Sequence, residues 1–277
     1  MNMLPMYDKF LGEISSDFMD VGGVKTAYYF YQGGSNKTIL LIHGIGGDFH
    51  GMISLAYRLK NDANLVFVDL PSHGRSQLIK DMKMRDVENW AMNLMSAFDG
   101  KGVSIDEVVA HSLGCLAANK MRCRKIWYIS PPMKISVMSR ISSSFFYRTR
   151  RVNQYIYLNY YFSVFRGLCL VNNRRKNVVD LIWWLTKNTQ VTRRQYLEQS
   201  KIARDISRGG KIIISEREFT GLIVGRRDKI SLPVNAAAGV EFEKFVELDT
   251  GDLSGLVSAE LVAELILTTY LFAILSV

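Results

Sequence analysis

Short runs of consecutive apolar residues, each followed by a stretch of helical spacing, restrict this chain to an α/β architecture. Residues 38–42 (TILLI) and 64–68 (NLVFV) show no polar alternation, so each reads as a strand covered on both faces. Val108-Val109-Ala110 ends a third strand, and 125–129 (KIWYI), stopped by Pro131 and Pro132, makes a fourth. An aromatic-rich strand, 25–31 (KTAYYFY), precedes them. Between the strands the pattern turns helical, over 50–59, over 84–98 and from Leu113 to Met121. Strand alternating with helix implies a mostly parallel central sheet flanked by helices. On such sheets ligands sit at the carboxyl ends of the strands.

From Met133 to about Gly210 the alternation stops, and aromatic residues mix with arginines. This stretch reads as a helical cap. The sheet rhythm resumes at 219–224 and 244–248, and 259–275 forms a closing helix. The predicted organisation is therefore one α/β core made of 1–131 and 211–277, with a cap, or lid, over 132–210. The chain has 277 residues, of which 48% are apolar and 22% charged, values that fit a globular protein with a sizeable core.

The formal net charge of +9 is unevenly spread. Residues 132–210 hold 15 Lys and Arg against 3 Asp and Glu, so the whole positive excess lies in the cap. Such a field favours an anionic small-molecule substrate or ligand. Nucleic acid is not favoured, because no recognised binding motif accompanies the charge. A solvated basic face is the plainer reading of the same residues.

Three scattered cysteines, Cys115, Cys123 and Cys169, suit neither a disulfide scaffold nor a zinc site, and as free thiols they fit the cytoplasm. The first eight residues do not resemble a secretory signal. The uncharged run 265–277 has 13 residues, fewer than the roughly 20 a transmembrane span needs. Nothing in the pattern sets an oligomeric state.

Chemistry concentrates at strand ends. In Val108-Val109-Ala110-His111-Ser112-Leu113-Gly114 a strand meets a helix at a serine. So tight a turn needs small residues two positions either side of it, and Ala110 and Gly114 supply them. The Leu113 N–H then points toward a developing oxyanion. In Leu41-Ile42-His43-Gly44-Ile45-Gly46-Gly47 a buried strand runs into a glycine-rich loop, where backbone can approach a reacting oxygen and Ile45 N–H is the natural second donor. A phosphate-binding loop is excluded, since the required glycine and lysine spacing is absent. The third motif is Asp69-Leu70-Pro71-Ser72-His73-Gly74-Arg75-Ser76.

In this order and spacing the three motifs resemble the α/β-hydrolase family, whose third motif commonly has glycine where Ser72 stands. The resemblance covers about 20–131 and 219–277. It implies an α/β-hydrolase fold with a helical cap, a serine nucleophile at Ser112, an oxyanion hole of Ile45 and Leu113 N–H groups, and a triad in the chain order Ser, acid, His. The acid role falls on Asp228, in Gly225-Arg226-Arg227-Asp228. The histidine position falls on Asp252, in Leu248-Asp249-Thr250-Gly251-Asp252. No histidine follows His111 in the chain. His43, with Gly44, belongs to the oxyanion loop, His73 to the loop beside it, and His111 precedes the nucleophile; all read as supporting residues. His50 is the least constrained of the four.

The resemblance thus implies a hydrolase of carboxylic esters, thioesters or lactones, needing no metal or organic cofactor, with an incomplete catalytic triad. A carboxylate with a pKa near 4 is a poor substitute for imidazole as a base. Two facing carboxylates also repel, so one should hold a proton or recruit a cation such as Arg226 or Arg227. Three readings stay open: a non-catalytic small-molecule-binding or interaction protein on this scaffold, an enzyme with a rearranged base, and a hydrolase carrying an introduced aspartate.

Overall fold

A computed structural model of the chain describes residues 3–132, 148, 176–189, 191–209, 219–226, 242–248 and 258–274. Its eight strands are β1 (Ser15–Val21), β2 (Val24–Tyr31), β3 (Thr38–Ile42), β4 (Asn64–Val68), β5 (Glu107–His111), β6 (Lys125–Ile129), β7 (Phe219–Gly225) and β8 (Lys244–Leu248). They form one sheet in the order β1-β2-β4-β3-β5-β6-β7-β8. The β1–β2 and β2–β4 pairs are antiparallel, and every pairing from β4 to β8 is parallel. This is the mostly parallel sheet that the strand rhythm predicts, and it fits the α/β-hydrolase fold that the motif resemblance implies.

The continuous apolar runs are buried on both faces, and period two sorts their side chains into two cores. Leu40, Ile42, Val66 and Val108 pack with Trp90, Leu94 and Phe98 of α3 (Met84–Gly100), Leu113 and Ala117 of α4 (Leu113–Ala118), and Ile202 of α6 (Arg193–Gly209). Ile39, Leu41, Phe67 and Trp127 pack on the other face. Their partners are Phe10 of α1 (Leu4–Gly12), Ile53 of α2 (Ile53–Leu59), Leu185 of α5 (Lys176–Asn188) and Val262 of α7 (Ala259–Ile274).

Of the stretch 132–210, only 132, 148, 176–189 and 191–209 are described. The two helices among these described residues are tied to the core by named contacts. On α5, Trp184 Nε1–H donates to Asp8 Oδ1 of α1 at 2.8 Å and stands edge-on to Tyr7. On α6, Gln195 and Gln199 donate to the carbonyls of Gly74 and Ser72 at 2.7 and 2.9 Å, and Glu198 accepts the Met82 N–H at 3.1 Å. The predicted aromatic residues from Phe145 to Phe162 lie outside the described residues. Among the described residues, no helix is long and apolar enough to cross a membrane.

Four elements differ from the sequence reading. Neither α1 nor β1 is predicted by it. The helix over 50–59 divides into a 3-10 turn, Phe49–Met52, and α2, because the Asp48 side chain accepts the His50 N–H and the Asp48 carbonyl accepts that of Gly51. The helix from Leu113 ends at Ala118, where the bonds tighten to three-residue turns at Lys120 and Met121.

Candidate active site

In the strand order β4-β3-β5, the chain passes from β3 to a neighbour on one side and then to one on the other. The loops leaving β3 and β5 therefore adjoin at the reversal point of the sheet, the usual place for a crevice. Strand register brings the motifs level: Ile42 pairs with Val68 and with Ala110, and His111 with Ile129. His43, Asp69 and Ser112 thus emerge side by side from one edge.

β5 stops at His111 and α4 starts at Leu113, so Ser112 alone makes the turn. Its φ of 50° and ψ of −115° lie outside the ordinary regions, a strain of about 1–3 kcal/mol for a non-glycine residue. Neighbouring backbone holds it there: Ser112 N–H donates to the Ile129 carbonyl of β6, and the Ser112 carbonyl accepts the Cys115 N–H, both at 3.0 Å. Ser112 and His111 are half-buried. As the first residue of α4, Leu113 keeps its N–H outside the intrahelical ladder.

Two glycines permit the packing. A Cβ on Gly44 would sit 3.0 Å from both Ser112 Cβ and His111 Nδ1, and one on Gly114 would sit 2.7 Å from the His43 carbonyl oxygen. The glycine loop after β3 is therefore in contact with the serine turn, as an oxyanion site requires. His43 fixes the near end of that loop. Its Nδ1–H donates to the Gly44 carbonyl at 2.7 Å, and its Nε2 accepts the Leu70 N–H at 3.1 Å. Those partners assign the neutral Nδ1–H tautomer.

Asp48 fixes the far end. It is buried, and its Oδ1 accepts the His50 N–H at 3.1 Å and the His50 Nδ1–H at 2.9 Å. Burial raises its pKa, but the His50 ring and backbone outweigh that and hold it below the usual carboxylate value. Asp69 gathers the next loop. Its carboxylate accepts the Phe49 N–H, the Arg75 N–H and the Tyr29 hydroxyl at 3.0, 2.8 and 2.7 Å. Burial, reinforced by Asp48, pushes its pKa up to about 6, and burial beside Asp69 pushes the Tyr29 phenol up as well. The sequence reading assigns no role to Asp48 or Tyr29. An aspartate directly before the 3-10 turn is the one signal that marks Asp48, as a cap.

Ser72, where the resembled motif has glycine, adopts φ 62° and is fully buried. Its Oγ accepts the Ile79 N–H at 2.9 Å, a local bond that offsets the left-handed strain. His73 Nδ1–H donates to the Pro71 carbonyl at 2.8 Å, and full burial drives its pKa down to about 3. Among the described residues no histidine hydrogen-bonds Ser112, and the His50 ring bonds Asp48 instead.

Asp228 and Asp252 lie outside the described residues. The strands that precede them in sequence adjoin, with Gly225 at the end of β7 paired to Leu248 at the end of β8. Arg226, exposed at that edge, pairs with Glu247 at 3.5 Å, and Arg227 is outside the described residues. Among the described residues, no His, Cys, Asp and Glu cluster is arranged to hold a metal ion.

Residues 39–265 match the model of the alpha/beta hydrolase family. Over 98 residues the chain is 32% identical to the dihydrolipoyllysine-residue acetyltransferase component of the acetoin cleaving system of Cupriavidus necator, covering 35% of this chain and 25% of that protein. The chain thus spans about a quarter of the length of the curated relatives it matches. Among solved structures, a thermophilic esterase from Thermogutta terrifontis superposes with a TM-score of 0.69 at 17% identity, over 92% of this chain and 98% of that one. The Cif epoxide hydrolase from Acinetobacter nosocomialis superposes with a TM-score of 0.69 at 18% identity, over 95% and 94%. At such identities the likeness concerns the fold and leaves the chemistry to the site.

Proposed function

The chain belongs to the alpha/beta hydrolase family, and from that premise we propose a serine hydrolase of carboxylic esters, thioesters or lactones. In this reading Ser112 Oγ attacks the carbonyl carbon, and the Ile45 and Leu113 N–H groups hold the resulting oxyanion. The observation that carries the reading is the strained backbone of Ser112, alone between β5 and α4 and in contact range of the glycine loop. An aspartate nucleophile would point toward epoxide or haloalkane chemistry, and a serine at the turn favours acyl transfer.

The missing step is removal of the serine proton. In the proposed triad Asp228 would orient an imidazole, but Asp252 stands in its place. A carboxylate there is too weak a base, and losing the imidazole costs about 10⁴–10⁶-fold in turnover. The present form is therefore a strongly impaired hydrolase. The same aspartate supports the rival reading, a ligand-binding protein that keeps the pocket and not the reaction.

We assign 132–210 as the cap and 1–131 with 211–277 as the core. The basic excess of the cap favours anionic small molecules. The buried cysteines Cys115 and Cys123 suit a cytoplasmic location.

Turnover of p-nitrophenyl acetate and labelling by a fluorophosphonate test the proposal, in the unmodified protein and in Asp252→His, with and without Ser112→Ala. The expected result is a gain of about 10³-fold or more on restoring histidine, abolished by Ser112→Ala. No gain across a panel of esters, with tight binding of a small molecule, would favour the ligand-binding reading.

A further inference from the structure

The two ends of the glycine loop are held in different ways. At the near end His43 ties Gly44 to Leu70, both within the core. At the far end the Phe49 N–H is held by Asp69, and three further bonds converge on one buried atom, Asp48 Oδ1. It accepts the backbone and ring N–H groups of His50 and, at 3.4 Å, the hydroxyl of Thr189. Thr189 is buried and directly follows α5, 141 residues away in sequence. A second contact runs in parallel. The His50 ring lies 6.1 Å edge-on from Trp184 of α5, and Trp184 and Leu185 share a core with Phe49 and Met52 of the 3-10 turn. α5 therefore bears on the segment that ends the glycine loop.

We propose that Asp48 is a positioning residue, setting the oxyanion loop according to where the end of α5 sits. The inference rests on the hydrolase reading for its catalytic consequence, though not for the mechanical coupling. The loop has little slack for an independent setting, because Gly44 already abuts Ser112 and only Ile45, Gly46 and Gly47 separate it from Asp48. A shift of Asp48 is passed to the Ile45 N–H three residues away. That donor must be placed to within about half an ångström to act on a transition state. An α5 seated by a ligand under the cap would then prepare the donor, and a displaced α5 would withdraw it.

Two measurements separate the coupling from the chemistry. Amide hydrogen exchange over 44–51 reads the loop without any turnover. Thr189→Val, which keeps the volume and removes the donor, is expected to speed exchange there by about 5-fold, with Thr189→Ser restoring it and Asp48→Asn acting in the same direction. In the Asp252→His background, Thr189→Val is expected to lower kcat for p-nitrophenyl acetate by about 5-fold with KM unchanged, the mark of an interaction used only in the transition state. Unchanged exchange in both Thr189→Val and Asp48→Asn overturns the coupling. Faster exchange with unchanged kcat overturns the positioning role. If Asp252→His itself shows no turnover, the hydrolase reading has failed, and the exchange result alone decides whether Asp48 links α5 to the loop.

Discussion

Replacing Gly114 by alanine tests the packing on which the serine turn depends. The added Cβ would lie 2.7 Å from the His43 carbonyl oxygen, 2.8 Å from that of Ile42 and 2.9 Å from Ile42 Cγ2. Two of these three atoms are backbone at the end of β3, a strand paired to β4 on one side and β5 on the other. They cannot swing away as a side-chain tip would, so α4 must retreat by roughly 0.6 Å to restore ordinary contact. Overpacking of this kind costs about 1–3 kcal/mol, and the gain of about 0.5–1 kcal/mol from putting alanine in place of a helical glycine offsets part of it. A net loss of about 1 kcal/mol is expected, read as a lower urea midpoint with an unchanged slope. Gly100, at the end of α3, has nothing within 4 Å of its would-be Cβ and serves as the control. Gly100→Ala should be neutral or slightly stabilising. If Gly114→Ala unfolds within about 0.5 kcal/mol of the unmodified protein, α4 does not sit on β3 as described, and the case for a strained serine turn falls with it.

Two further substitutions address strain and titration. Ser112→Gly should be more stable than Ser112→Ala by about 1–2 kcal/mol in urea unfolding, because glycine adopts the φ of 50° without strain and alanine does not; equal stability would remove the strain from the account. His73 has a folded pKa of about 3, against an unfolded value near 6.5. The unfolded chain therefore takes up a proton that the folded one refuses, and stability is lost as pH falls from about 6.5 toward 3. At pH 5 the loss from this group is about 2 kcal/mol. His73→Asn, which keeps a donor for the Pro71 carbonyl, should lack it. Asp69, raised to about 6, acts with the opposite sign between about pH 4 and 6, so the quantity to measure is the difference between the two proteins. A difference that does not change between pH 7 and 5 would contradict the buried neutral ring.

The parts of the fold that were legible are those where one physical requirement writes itself locally. β3, β4, β6 and β8 are buried or half-buried strands whose bounds follow from their residues alone. The serine turn was legible because its close contacts demand a glycine at 114. By contrast, β1 buries only Met19 and Val21 and exposes most of its other residues, so it carries too weak an alternation to be read. α1 buries just Tyr7 and Phe10, and one of its anchors, Trp184, lies far along the chain. The roles of Asp48 and Asp69 were hidden for the same reason. Each carboxylate is defined by donors from separate segments, and no local pattern announces that Tyr29, Phe49 and Arg75 will meet at one side chain.

The bond between Asp8 and Trp184 spans 176 positions. During synthesis Tyr57 and Tyr31 are at hand early for Tyr7 and Phe10 of α1. The helix still leaves the ribosome long before its clasp exists, so the face of Tyr7 that meets Trp184 must wait, uncovered, while most of the sheet is being made. Contacts of such range are slow to form and leave apolar surface open to chance encounters. The clasp between α1 and α5 is thus among the last contacts to form, and a nascent chain halted before α5 should be the species that chaperones hold and that aggregates when they are scarce.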